Sequence, residues 1–306
     1  MTSTANANPA VTGDDTSDRF ATLHFQRDVA APISALWQVW TAPAARAIWS
    51  APSPEVTVDF IEADTRVGGR EVSICRVAGQ PDIRCECGWL DLQPGARSVN
   101  YETISMAGVP QSAALITADL TGDGDRSRIA VTVQLSALAA DMGAGYRAGF
   151  EAGLDNMAHA ARRTMVIERV IRAPRSALWG AWVNPRTLPQ WWGPEGYSCR
   201  TARIDLKSGG EWLFDMIGPD GTVYPNHHLY SEILPEQRIA YQLLAGENGT
   251  RHADAWVLFE EQGDATRITL GMVFSSEAEY QGAKGFGAAE LGQQTLGKLE
   301  KFVASR

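Results

Sequence analysis

The feature that most constrains this chain is an internal repeat with an offset of 142 residues, which becomes 141 where the second copy lacks one residue before its glycine pair. One motif appears first at Ala31–Pro43 (APISALWQVWTAP) and again at Ala173–Pro185 (APRSALWGAWVNP). Further along the chain, Trp49 and Trp191 stand at the same offset. A period this long indicates a duplicated domain, because the units of solenoid proteins repeat every ~20 to 50 residues.

The length of the chain agrees with two copies of one domain. A globular domain spans about 100 to 200 residues, and the chain has 306. We predict a disordered tail at residues 1–20, a first domain at 21–162 and a second domain at 163–306. The junction Ala161–Arg163 contains no Pro, Gly or Ser, so we expect the second domain to follow the last helix of the first almost directly.

Charge and hydropathy exclude several classes of function. The chain carries 27 Lys and Arg against 36 Asp and Glu, a net charge of −9, which disfavours nucleic acid or an anionic membrane as a partner. No apolar run approaches the ~20 residues that span a bilayer, and the first 18 residues lack the cationic start and apolar stretch of a secretory signal. Four cysteines do not form a disulfide framework in a chain of this length. These observations predict a cytoplasmic protein without membrane insertion.

The same order of elements is predicted in both halves. An opening strand ends at an Ala-Pro pair, where proline stops the hydrogen-bond ladder, and a short helix with two tryptophans follows. A glycine pair, Gly68-Gly69 or Gly209-Gly210, then opens a run of alternating strands separated by turns. A helix closes each half, with apolar residues every three or four positions.

Three motifs of the second half carry a resemblance to a known family. They are Trp191-Trp192-Gly193-Pro194, Gly209-Gly210-Glu211-Trp212 and Gly218–Pro225 (GPDGTVYP). With the predicted order of elements, they resemble the START-like (SRPBCC) superfamily and, within it, the AHSA-type family related to the activator of the heat-shock protein 90 ATPase. The resemblance implies an α+β fold of two tandem helix-grip domains, each a curved antiparallel sheet wrapped around a long C-terminal helix. It also implies a hydrophobic cavity between sheet and helix, a property shared by proteins of very different activities.

The two halves differ in the residues that could form such a cavity. The first half has Trp49-Ser50-Ala51-Pro52 where the second has the Trp-Gly-Pro motif, and it lacks the Pro-Asp-Gly turn. Because its apolar residues are smaller, we expect its interior to close up and its role to be mainly structural. We therefore predict that the second domain binds the ligand. The candidate cavity residues are Trp192, Trp212, Phe214, His227, Tyr230, Tyr241 and Trp256.

No motif of this sequence points to a metal, a cofactor or a catalytic residue. Cys75, Cys85 and Cys87 lack a fourth ligand at metal-site spacing, so we interpret them as packing residues. His227 and His228 are adjacent in a predicted strand, so their side chains point to opposite faces and cannot bind one ion together. A nucleophile elbow, a phosphate-binding loop and a dinucleotide fingerprint are all missing from the sequence.

Three functions remain open at this point. The first is binding of a small hydrophobic or amphipathic ligand, mainly in the second domain. The second is a surface contact with a chaperone ATPase, which the family resemblance implies. The third is a cyclase- or hydrolase-like enzyme that uses cavity His, Tyr or carboxylate groups as acid or base. We prefer the first, because no pair of nucleophile and base is visible.

Overall fold

A computed structural model describes residues 15–16 and 19–306 of the chain. The chain divides between Arg162 and Arg163 into two compact units, here called the first and second domains. The tail expected at residues 1–20 lies mostly outside the described residues. Within them, strand β1 (Asp15–Thr16) pairs with the start of the next strand, at Ala21 and Thr22.

The first domain is an antiparallel sheet with three helices. Its strands after β1 are β2 (Phe20–Val29), β3 (Val56–Ala63), β4 (Arg70–Val77), β5 (Ile83–Gln93), β6 (Arg97–Met106), β7 (Val109–Asp123) and β8 (Arg126–Ala137), in the order β1-β2-β8-β7-β6-β5-β4-β3. The helices are α1 (Ile33–Thr41) and α2 (Pro43–Trp49), which follow β2, and α3 (Met142–Ala161), which closes the domain.

The second domain repeats this arrangement. It contains β9 (Thr164–Ile171), α4 (Arg175–Trp182), α5 (Leu188–Trp191), β10 (Ser198–Ile204), β11 (Glu211–Ile217), β12 (Val223–Leu234), β13 (Arg238–Leu244), β14 (Arg251–Gln262), β15 (Ala265–Phe274), α6 (Glu277–Gly285) and α7 (Ala288–Ala304). The strand order is β10-β11-β12-β13-β14-β15-β9, and all neighbours are antiparallel. The structure confirms the predicted fold of two tandem helix-grip domains.

The glycine pair that recurs in both halves has a geometric cause. Gly68 and Gly209 take positive φ angles of 78° and 79°, which favour glycine. A Cβ atom on the next residue would lie 2.1 Å from a backbone oxygen, that of Asp64 for Gly69 and that of Asp205 for Gly210. Both glycines of each pair are therefore required for the turn into β4 and β11.

The closing helices pack on their sheets through matching residues but differ in continuity. Leu154 and Met157 of α3 are fully buried, as are Leu296 and Leu299 of α7. In the second domain the helical segment is broken after Gly285, and Gly287 takes a φ of 80°. Helix α6 packs against β15 and α7, α3 is preceded by no equivalent helix among the described residues, and residues of both α6 and α7 line the groove described next.

Among the described residues, none of the helices has the length and apolar content needed to cross a bilayer.

Candidate functional site

Five of the seven predicted cavity residues meet in one aromatic cluster of the second domain. Trp212 and Phe214 stack with ring centroids 3.8 Å apart, and Trp192 packs edge-on against Trp212 at 5.9 Å. Tyr230 and Tyr241 lie 5.8 Å apart on the neighbouring strands. Apart from Trp192, these side chains are buried in the domain core. They therefore fill the interior instead of lining an open space.

The histidine in this cluster is His228, not the predicted His227. The His228 ring stacks on Tyr241 at 4.3 Å and meets Phe214 edge-on at 5.2 Å. Burial, and then the neighbouring His227, lower the pKa of His228 to about 3, so its ring is neutral at physiological pH. The strand register could have indicated this choice, because His228 pairs directly with Trp212.

His227 and Trp256 lie away from the cluster. His227 is buried and shares a hydrogen bond of 2.6 Å with the carboxylate of Glu211. Trp256 alternates with the buried Ala255 and Val257 along β14, so it lies on the opposite face of the sheet. There its ring covers Gly271, which has no room for a Cβ atom.

An open groove of about 690 Å³ lies between the sheet of the second domain and helices α6 and α7. Trp192 is the one residue of the seven candidates that lines it. Most of the lining is aliphatic or thioether, and it includes Ile167, Met216, Leu243, Leu270, Met272 and Leu291. Phe286, at the break between the two helices, also lines the groove and is 68 % exposed. These residues could not be recognised from the sequence, because their spacing is that of ordinary core positions.

The family motif Trp192-Gly193-Pro194 forms one rim of this groove. Lys298 of α7 holds the rim in place, since its ammonium group donates to the backbone oxygens of Trp192, Pro194 and Tyr197 at 3.4, 3.3 and 3.0 Å. Burial lowers the pKa of Lys298 from its ordinary value. Gly193 takes a φ of 88°, so the turn itself depends on glycine.

Polar groups are few in the groove. His252 and Glu279 share a hydrogen bond of 2.9 Å between Nδ1 and Oε2. The hydroxyl of Thr295 donates to the backbone oxygen of Leu291 at 3.1 Å and is thereby satisfied within its own helix. The groove thus offers an apolar wall with one polar pair.

The first domain also contains a cavity, of about 300 Å³, which differs from the expectation that its interior closes up. It lies between the inner face of the sheet and α2 and α3. Its lining includes the aromatic side chains Trp40, Trp49, Phe60, Trp89, Tyr146 and Phe150. Gly145 and Gly149 of α3 face it with space where a Cβ atom would stand.

One wall of this cavity contains a buried ion pair. Arg46 donates to the carboxylate of Glu71, which is 1 % exposed and also accepts a hydrogen bond of 2.6 Å from Thr65. The guanidinium carbon of Arg46 lies 5.1 Å from the ring centroid of Phe60 and 5.2 Å from that of Trp89. Burial is the largest influence and acts to lower the pKa of Arg46, but the attraction and hydrogen bond of Glu71, together with the nearby thiols of Cys87 and Cys85, outweigh it, and the pKa lies above its ordinary value.

The matching positions of the second domain are apolar. Arg46 corresponds to Leu188 at the offset of 142 residues, and Glu71 corresponds to Trp212 at an offset of 141. Strand pairing supports the second match, because Glu71 pairs with Cys87 and Trp212 pairs with His228, also 141 residues apart. The two domains therefore share a fold but not the chemistry of their interiors.

Solved structures with similar folds each match about half of this chain. Protein Ms6760 from Mycobacterium smegmatis is 22 % identical, with a TM-score of 0.44, and the match covers 48 % of this chain and 94 % of that one. Protein NE0264 from Nitrosomonas europaea is 21 % identical, with a TM-score of 0.43 and coverages of 47 % and 96 %. Protein Mll3558 from Rhizobium loti is 26 % identical, with a TM-score of 0.41 and coverages of 45 % and 95 %.

The family comparison concerns the second domain. None of the curated proteins matches the chain. The family model described as Activator of Hsp90 ATPase homolog 1-like protein matches residues 172–304, which contain the Trp192-Gly193-Pro194 rim and both closing helices. Residues 172–304, most of the second domain, are therefore similar to the family of Activator of Hsp90 ATPase homolog 1-like proteins.

Proposed function

We propose that this chain is a binding protein for a small, mainly apolar ligand, held in the second domain between the sheet and helices α6 and α7. The observation that carries this proposal is the groove of about 690 Å³, whose walls are almost entirely apolar. Ligand pockets for small molecules span ~300 to 1,000 Å³ and combine apolar walls with a few polar groups. The groove fits both descriptions.

The chemistry of the lining defines the class of ligand. Methionine side chains such as Met216 and Met272 are unbranched and adapt to irregular shapes, which suits a flexible or planar hydrocarbon body. His252 and Glu279 offer one polar anchor, so a ligand with a single hydroxyl or carbonyl group is favoured over one with several. No residue of this groove forms an arrangement of nucleophile and base.

The glycines of α6 provide a matched pair for the test. Gly282 lines the groove, whereas Gly285 does not, and a Cβ atom on either would meet nothing within 4 Å. Gly282→Leu should therefore fill the groove, and Gly285→Leu should add the same side chain outside it. Both changes replace a helical glycine, so neither is expected to weaken α6.

The experiment measures the fluorescence of N-phenyl-1-naphthylamine, a neutral apolar dye, when it is titrated with the full chain. We expect saturable binding by the wild type and by Gly285→Leu, and at least tenfold weaker binding by Gly282→Leu. Equal binding by all three proteins would show that the dye occupies another site, and absence of binding by the wild type would refute the proposal.

A contact with a chaperone ATPase is the second candidate function, which the description of the matched family favours. It requires an exposed surface and not the groove. Capture of purified Hsp90 by the full chain, with the same strength for Gly282→Leu as for the wild type, would support this candidate. Failure of the dye to bind, together with such capture, would replace the first proposal by the second.

A further inference from the structure

The first-domain cavity carries a carboxylate that its surroundings leave without a counter-charge. Glu102 of β6 lines the cavity. Its Oε1 accepts a hydrogen bond of 2.8 Å from the hydroxyl of Tyr146, and its Oε2 accepts one of 3.2 Å from the thiol of Cys85. Tyr146 also shares a contact of 3.2 Å with the hydroxyl of Ser112. Across the described part of the chain, Glu102 forms no ion pair with a Lys, Arg or His side chain.

Among the described residues that line the cavity, Arg46 is the one cation, and it is already engaged. Arg46 lines the same cavity, but it is paired with the buried Glu71 and covered by two aromatic rings. The formal charges of the Arg46, Glu71 and Glu102 side chains sum to −1. A carboxylate offers about four acceptor positions, of which Tyr146 and Cys85 use two. The cavity therefore has both the charge and the acceptor capacity for a bound cation.

The donors on Glu102 are neutral groups that stay protonated. Burial, and then the charge of Glu102, raise the pKa of Tyr146. The same two causes raise the pKa of the Cys85 thiol well above its ordinary value. Neither group can neutralise the carboxylate by charge, so the polar end of the cavity stays negative.

A second observation comes from the tryptophans of the cavity wall. The indole N–H of Trp40 donates to Ser98 at 2.9 Å, and that of Trp49 donates to the backbone oxygen of Val39 at 2.7 Å. Trp89 is 2 % exposed, and its indole N–H is buried without a hydrogen-bond partner within the described residues. Buried polar groups are rarely left unpaired, so Trp89 differs from the other two tryptophans of this wall in having a donor that the described residues do not use.

We propose that the first-domain cavity is a second binding site, which takes a small aromatic amine whose ammonium group pairs with Glu102. The aromatic walls supply stacking and cation–π contacts for the rest of the ligand. This site is independent of the groove in the second domain, where Leu243 stands at the position of Glu102.

The test compares three probes of the same size and shape. They are 2-phenoxyethylamine, 2-phenoxyethanol and phenoxyacetic acid, which are cationic, neutral and anionic at pH 7. Their binding to the full chain is measured by calorimetric titration. We expect the amine to bind at least tenfold more tightly than the alcohol and the acid. Equal or tighter binding of the alcohol or the acid by the wild-type protein would overturn the proposal.

Variants of the full chain show whether the amine binds in this cavity. In Glu102→Gln the side chain keeps its shape and loses its charge, so the preference for the amine over the alcohol should disappear. Gly149→Leu fills the cavity and should abolish amine binding, whereas Gly143→Leu lies on the same helix outside the cavity and should retain it. Gly282→Leu, which fills the other groove, should also retain it. Unchanged amine binding by Gly149→Leu refutes the site even if Glu102→Gln does not fold.

Discussion

Removal of the cation from the buried ion pair of the first domain should destabilise that domain strongly. In Arg46→Leu the chain takes the residue that stands at the matching position of its own second domain, Leu188. Glu71, 1 % exposed, then keeps the hydrogen bond from Thr65 but has no counter-charge. A buried charge without a partner is expensive, because it has lost its hydration and gained nothing in exchange.

The size of the effect follows from the burial of the pair. Removing one partner of a buried ion pair costs about 3–5 kcal/mol. The side chain of Arg46 is 15 % exposed, so some water reaches the site and we take the lower end, about 3 kcal/mol. For a domain of this size, that corresponds to a fall of about 10 °C in the melting temperature. Loss of the cation–π contacts with Phe60 and Trp89 acts in the same direction.

A double variant separates charge from packing. Arg46→Leu with Glu71→Met removes both charges at once and keeps side chains of similar length. Replacement of a whole buried pair by apolar residues is often neutral or stabilising, so we expect the double variant to lie within about 1 kcal/mol of the wild type. Arg70→Leu is the control, since Arg70 pairs with Glu62 and Glu86 at the surface, and we expect no measurable change.

The assay must report on one domain at a time, because unfolding of a two-domain chain is not a two-state process. Amide hydrogen exchange followed by mass spectrometry gives separate opening free energies for peptides from 21–162 and from 163–306. Only the first set should change in Arg46→Leu. The reasoning fails if the single variant lies within 1 kcal/mol of the wild type, or if the double variant is as unstable as the single one.

Two further predictions concern the second domain. Gly210→Ala places a methyl group 2.1 Å from the backbone oxygen of Asp205, so peptides from 163–306 should lose about 2–3 kcal/mol of opening free energy in amide hydrogen exchange. A loss no larger than that of Gly285→Ala would contradict the geometry. The pKa of His228 is about 3 in the folded protein, against an ordinary value of 6.5. The buried neutral ring therefore contributes fully to the stability of the second domain above pH 6.5, and this contribution is lost as the pH falls towards 3. Between pH 7 and 5, the free energy of opening in peptides from 163–306 should therefore fall by about 2 kcal/mol less in His228→Phe than in the wild type, as measured by amide hydrogen exchange. An identical fall in both proteins would count against a neutral His228.

The fold could be predicted from the sequence because its signals are local and occur twice. The Ala-Pro pair, the tryptophan helix and the glycine pair each fix a turn or an element boundary within a few residues. The steric reason for Gly69 and Gly210 holds in both domains, which explains why this motif survives where others differ. A motif that occurs in both halves at matched positions is also rarely a chance match.

The open spaces of the two domains could not be predicted in the same way. Alternation along a strand gives the face on which a residue lies, but not whether that face meets a helix or an empty space. Trp212 and Phe214 are on the inner face as expected, yet they fill it. The size of the space between sheet and helix depends on residues far away in the sequence, such as Gly287, where the chain breaks between α6 and α7.

The chemistry of the first domain was hidden for a related reason. Arg46 lies on a helix and Glu71 on a strand, 25 residues apart, and no spacing rule links them. Glu102 and Tyr146 are 44 residues apart and meet only when α3 closes on the sheet. The signal available in the sequence was a comparison of matched positions in the two halves. Where one half has a charged residue and the other has an apolar residue at the matched position, the interiors of the two domains differ.

The buried pair also limits how the two copies can exchange sequence in evolution. Gene conversion between repeats replaces a stretch of one copy by the homologous stretch of the other. A stretch that carries position 46 or position 71 alone, but not both, leaves a single charge in the interior of the recipient domain. The cost of about 3–5 kcal/mol is a large part of the 5–15 kcal/mol that keeps a domain folded. Selection against such products preserves the divergence between the two halves of the gene.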